Sequence, residues 1–127
     1  MKKWLLTLAI LFTANTAFAA TEACEKFTTP YDRTYCDSKL FVESDKELNQ
    51  VDKDLKTHLK GDLSKALTAT QREWIKYRDH KCGESDGTVY VDCSYEVNRS
   101  RNDYLRDRLR ECKTGNCQPN LIRSESW

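Results

Sequence analysis

Two prolines and four glycines are all that 127 residues contain. Pro30, Gly61, Gly83, Gly87, Gly115 and Pro119 leave residues 31–60, 62–82 and 88–114 free of both types. Glycine and proline are the residues least tolerated inside helices, so these uninterrupted stretches are themselves a helix signal. Net charge is also scarce, with 21 Lys+Arg against 20 Asp+Glu, a formal +1. General nucleic-acid binding needs a basic surface to displace counterions from phosphates, so nucleic acid is not an expected partner. Beyond residue 19 no apolar run could cross a bilayer, which argues against a stable membrane anchor. Large apolar side chains are few: past residue 19, Leu, Ile, Val and Phe together number eighteen. That poverty would signal disorder only if it came with a large net charge.

Residues 1–19 are unlike the rest. Lys2 and Lys3 precede an apolar run from Trp4 to Phe12, and the stretch ends in Ala17-Phe18-Ala19. This is the order of a secretory signal peptide, with cleavage expected after Ala19 and Ala20 as the neighbouring alternative. A lipoprotein signal is not expected, because Thr21-Glu22-Ala23 before Cys24 carries a charge where small and apolar residues are needed. Removing 1–19 takes two lysines and no acid, so the charge becomes −1. All six cysteines remain. An exported chain with a thin core and an even number of cysteines reads as a small domain stapled by disulfides.

The predicted architecture is all-α: a small three-helix bundle stapled by disulfides, over residues 20–114, with 115–127 as a loop and flexible C-terminal tail. The first segment has Thr29 as N-cap, Pro30 at the first helical position and Asp32 near the positive end of the dipole. Phe41, Leu48, Val51, Leu55 and Leu59 form its apolar stripe, and Lys60-Gly61 is expected to close it, a break near Asp37-Ser38 being left open. The second segment carries Leu63, Leu67, Trp74, Ile75 and Tyr77, starting at a cap on Asp62 or Ser64. The third, starting near Val89, offers Tyr90, Cys93, Val97, Tyr104, Leu105, Leu109 and Cys112. Val89-Tyr90-Val91 alone could form a strand but has no evident partner.

Six cysteines formally admit many pairings. Spacing favours neighbours: Cys24–Cys36, Cys82–Cys93 and Cys112–Cys117. Each such loop closure contributes on the order of 3 kcal/mol in the chain-entropy model. His80 lies two residues before Cys82, but no C-x₂-C pair exists and the export signal favours oxidation, so no metal is expected. An even count leaves no spare catalytic thiol. Glu43/Glu47 is a helix-borne carboxylate pair of the kind that is usually solvated charge, and no nucleophile–base set or phosphate loop stands out. No enzyme and no cofactor are expected.

The stretch Leu67-Thr68-Ala69-Thr70-Gln71-Arg72-Glu73-Trp74-Ile75-Lys76-Tyr77-Arg78-Asp79-His80-Lys81-Cys82 resembles the L-x-x-x-Q-x-x-W-x-x-[YF]-R-[DN]-x-x-C signature of the LprI-like lysozyme-inhibitor family of small exported helical proteins. Upstream, Asp45-Lys46-Glu47-Leu48-Asn49 resembles its A-D-x-x-L-N-x-x-Y stretch. Downstream, Cys93, Arg101 and Leu105 resemble its C-…-T-x-x-R-x-x-x-L ending. The resemblance covers residues 24–109. It departs at Asp52, where an aromatic is expected, and at Asn98, where threonine is expected. The pair Cys112 and Cys117 lies beyond it.

The motif residues Asp45, Asn49, Gln71, Trp74, Tyr77, Arg78, Asp79 and Arg101 read most simply as architecture. Gln71, Trp74, Arg78 and Cys82 share one helical face, where Arg78 can stack on an aromatic and bond a carboxylate such as Asp45. The candidate partner-binding element is instead the loop from Gly83 to Asp92. Glu84, Asp86 and Asp92 supply three acids and no base, Tyr90 an aromatic anchor, and Cys82–Cys93 a tether. Its plainer reading is a solvated turn. Arg99, Arg101, Arg106, Arg108 and Arg110 form a basic cluster interleaved with Asp103, Asp107 and Glu111, mostly an ion-paired face. The resemblance implies a periplasmic protein that blocks a lysozyme or another cell-wall muramidase by binding. The alternative is a periplasmic immunity or envelope-stress protein that binds another wall-degrading toxin.

Overall fold

The structure, a computed structural model, describes residues 21–127, so the expected signal peptide and its cleavage point lie outside the described residues. Five helices follow in order: α1 (Thr21–Glu25), α2 (Pro30–His58), α3 (Leu63–Lys81), α4 (Val91–Lys113) and α5 (Pro119–Ile122). The three long ones are the expected bundle.

Thr29 caps α2 as expected, its Oγ1 accepting from the Asp32 amide at 3.1 Å while Pro30 occupies the first turn. α2 then runs to His58 without a break at Asp37-Ser38. Its C-cap is Leu59, and Gly61, with φ of 57°, turns the chain two residues later, outside the C′ position predicted for it. That left-handed φ is one only glycine adopts without strain.

Contacts fix the directions of the helices. Ser44 on α2 meets Asn98 and Asn102 on α4, while the far ends of both helices share the wall holding Leu59 and Cys112. α2 and α4 therefore run parallel and close together, and α3 returns antiparallel along them. The a/d positions Leu48, Val51 and Leu55 of α2 close on Leu105, Leu109 and Cys112 of α4, with Leu67 and Trp74 of α3 completing the core. Ile75, one of the apolar residues of α3, is exposed; its position is one step round the helix from the buried Trp74.

Three disulfides pair Cys24–Cys36, Cys82–Cys93 and Cys112–Cys117, the neighbour pairing expected from spacing. Residues 115–127 are not simply loop and tail. α5 drops Ile122 into the core, and the Leu121 and Ile122 carbonyls accept hydrogen bonds from Tyr104 Oη (2.6 Å) and Thr70 Oγ1 (3.4 Å). Ile122, buried in the core, and the short Cys112–Cys117 bridge tie the segment to the bundle. Among the described residues no helix is long and apolar enough to cross a membrane.

Candidate functional site

Two candidate neighbourhoods occupy the same end of the bundle. The first is built on the motif. Trp74 is buried where α3 meets the other two helices, and Arg78, one turn on, lies between its ring and that of Phe41, at 5.6 and 5.4 Å. Arg78 Nη1 donates to Asp45 Oδ1 and to Asn98 Oδ1, both at 3.1 Å, and its Nε and Nη2 donate to Asp79 Oδ1 at 2.9 and 2.8 Å. Asn98 in turn donates from Nδ2 to Ser44 Oγ at 3.0 Å, and the Ser44 hydroxyl donates to the Phe41 carbonyl at 2.7 Å. Asn102 Nδ2 donates to the Ser44 carbonyl at 3.0 Å. Small polar side chains at this level let α2 and α4 approach closely, and each bond satisfies a group that would be costly to bury alone.

Arg101 forms a separate unit. Its Nε donates to Gln71 Oε1 at 2.7 Å, and its guanidinium lies among the rings of Trp74, Tyr104 and Trp127. Burial pushes its pKa down to about 10, with Tyr104 and Asp52 opposing that shift. The other arginines of α4 behave as solvated pairs: Arg99 with Glu96, Arg106 with Asp103 and Glu47, Arg108 with Glu111, Arg110 with Asp107. The Arg108 partner holds the Glu111 carboxyl below the ordinary range.

The second neighbourhood is the loop between α3 and α4. Cys82–Cys93 closes its base, and within it Gly83 and Val89 form an isolated antiparallel bridge, so the short extended piece at Val89 does have a partner. The Glu84 amide donates to the Thr88 carbonyl at 2.9 Å and the Tyr90 amide to the Cys82 carbonyl at 2.8 Å. At the tip Asp86 Oδ1 accepts from the Thr88 amide at 2.9 Å, while Gly87 takes φ of 91°. A Cβ on Gly83 would stand 2.7 Å from the Asp79 carbonyl oxygen, so only glycine fits where the loop leaves α3. The Tyr90 hydroxyl donates to Glu84, which raises the phenol's pKa, and hydrogen bonds from Thr88 lower that of Asp86. The loop is thus a small, internally bonded hairpin.

Among the sequence candidates, the fold brings Glu84 and Tyr90 into contact and places Asp86 at the tip. Asp92 lies apart from that pair, in the first turn of α4, close enough to Asp37 to act on its charge. Asp45, Gln71, Trp74, Arg78, Asp79 and Arg101 converge as described; Tyr77 lies against Trp127, with ring centroids 6.1 Å apart. Asn49 does not join them. It is exposed and has no side-chain hydrogen bond among the described residues. Ser44, Asn98 and Asn102 were missed as buried partners. Extending the stripe of Leu105, Leu109 and Cys112 backward in steps of three and four lands on Asn102, Asn98 and Ser94, the signal that could have found the two asparagines.

The helix-borne aromatics nearby are exposed. Only from Ser44 onward does α2 bury side chains in the bundle; Tyr31 and Tyr35 are 77% and 60% exposed on its overhanging first turns. Among the described residues there is no His/Cys/Asp/Glu group arranged to hold a metal, and every described cysteine is bridged. The arrangement offers a fixed acidic and aromatic surface.

The family described as "Lysozyme inhibitor LprI" matches residues 21–105, from α1 to the Leu105 layer of α4. No curated protein and no solved structure matches the chain.

Proposed function

We propose that this chain, which belongs to the LprI lysozyme-inhibitor family by a match over residues 21–105, is an exported binding protein that occludes a cell-wall muramidase in the periplasm. The observation that carries the reading is the hairpin closed by Cys82–Cys93, which holds Glu84, Asp86 and Tyr90 on an exposed and already ordered element. Ordering a loop before binding lowers the entropy lost in the complex. A lysozyme is usually a strongly basic protein with an acidic cleft. Acids on the hairpin and at Asp92 steer such a target, and Tyr90, half-exposed at the hairpin's base, offers an aromatic anchor. Tyr31 and Tyr35 on the overhang of α2 supply further contact area. Inhibition by this route is steric and electrostatic and needs no chemistry on the substrate.

The test is a turbidity assay of wall lysis with lysozymes of several types, paired with calorimetric titration. Stoichiometric inhibition of at least one type, weakening as salt rises, is expected. Failure to bind any of them removes the reading.

A further inference from the structure

We propose that the cavity between α3, α4 and the segment following α5 binds a small organic carboxylate with an apolar ring or chain. The cavity measures about 320 Å³ and opens to solvent on one side. Trp74, Tyr77, Tyr104 and Trp127 line it, and Arg101 lies in its wall.

Arg101 is the feature that needs explaining. It is only 5% exposed, yet among the described residues no carboxylate comes within salt-bridge distance and no acceptor meets Nη1 or Nη2. The other four arginines named in the basic cluster of α4 each have an acid, so the helix does not lack acids in general. The charge of Asp52 and contacts with three rings favour the buried guanidinium, but neither gives its Nη atoms a hydrogen-bond acceptor. Gln71 Oε1 accepts the hydrogen bond from Nε and fixes the plane of the group, leaving the two-pronged Nη edge as the part a carboxylate recognises in bidentate fashion. The candidate competitors at the mouth are engaged: Glu96 with Arg99 at 3.8 Å, and Lys81 Nζ with Tyr77 Oη at 2.9 Å. Aromatic walls around a single fixed cation suit an anion whose remaining surface is apolar. The volume lies at the lower end of the roughly 300–1,000 Å³ usual for ligand pockets.

The wall is partly this chain's own. The family match ends at residue 105, whereas Trp127 comes from the segment that Ile122 anchors in the core. The site is separate from the hairpin and does not depend on the reading of the chain as a lysozyme inhibitor.

The experiment titrates the mature chain with 3-phenylpropionate and, separately, with its neutral amide, following backbone and indole N–H resonances and heats of binding. Expected are shifts of the Trp74 and Trp127 indole signals with the acid, and an affinity for the acid at least about tenfold above that for the amide, as a charge-assisted bond implies. Arg101→Met should bring the acid down to the amide's level, and Trp127→Ala should weaken both. Because the acid–amide contrast is read in the wild-type chain, the test survives a variant that fails to fold. Equal affinity for acid and amide, or no shift of either indole at millimolar acid, overturns the proposal.

Discussion

The two ends of the three-helix bundle are built differently. At the end holding the C-termini of α2 and α4, Leu55, Leu67, Leu105, Leu109 and Ile122 meet as an apolar core, closed by Cys112–Cys117. At the other end the interior is polar: Ser44 bonds Asn98 and Asn102, Asn98 bonds Arg78, and Asn102 Oδ1 is buried without a partner among the described residues; the exposed hairpin and the overhang of α2 project from it. Apolar burial is non-directional and tolerates small shifts, whereas a hydrogen-bonded network fixes one registration of the helices. The first end supplies most of the stability and the second sets the geometry. Asp79 shows the link: its side chain holds Arg78, and its carbonyl limits the hairpin's first residue to glycine.

The largest expected effect tests the apolar end. Leu105 is fully buried, and Leu105→Ala should cost about 3 kcal/mol in urea unfolding, as transfer and cavity terms add. A cost under about 1 kcal/mol would show that the layer repacks and that stability lies elsewhere. Next comes the polar end. Asn98→Ala removes the donor to Ser44 Oγ and one of the two acceptors of Arg78 Nη1 and should cost about 2 kcal/mol, while a double-mutant cycle with Ser44→Ala should show coupling. Additive effects of the two changes would break the claim that they act as a unit.

The smallest expected effect concerns pH. Burial and the charge of Asp92 raise the pKa of Asp37, with Arg33 opposing. A carboxyl whose folded pKa lies above its unfolded value carries no penalty when protonated and becomes unfavourable as pH rises through the folded pKa. Asp37→Asn should therefore raise Tm slightly at neutral pH, and the gain should vanish toward about pH 3, below the ordinary aspartate pKa. A gain that persists in acid would trace to helix propensity, and the two acids would not be facing each other electrostatically.

Much of the frame was legible because its signals are local. Missing glycine and proline marked the three long helices, Thr29-Pro30 marked the start of α2, and cysteine spacing matched the disulfides. The polar end was harder to read. Phe41 and Leu48 stand seven apart because the stripe passes through Ser44, and an apolar count skips such a residue. In α4 the same effect drew attention to Val97, next to the fully buried Asn98. The sequence pattern carried no periodic signal for α5, four residues long, or for Trp127, whose ring meets Tyr77 and Arg101 only through the tertiary fold. The acids of the hairpin were visible as composition; that Glu84 and Tyr90 would bond, or that Asp92 would face α2, depended on how the chain turns at Gly83 and Gly87.

The role assigned to the hairpin can be measured directly. The triple variant Glu84→Gln, Asp86→Asn, Asp92→Asn removes three charges but keeps side-chain oxygens that accept from Tyr90 and from the Thr88 amide, so stability should change by less than about 1 kcal/mol. Calorimetric titration of the wild type and this variant against a lysozyme that the wild type inhibits, at low and at high salt, isolates the contribution of those charges. The predicted result is affinity weakened by about tenfold or more at low salt, mainly through slower association, with the difference shrinking at high salt. Equal affinity for both proteins at low salt would contradict the account and move the binding surface away from the hairpin.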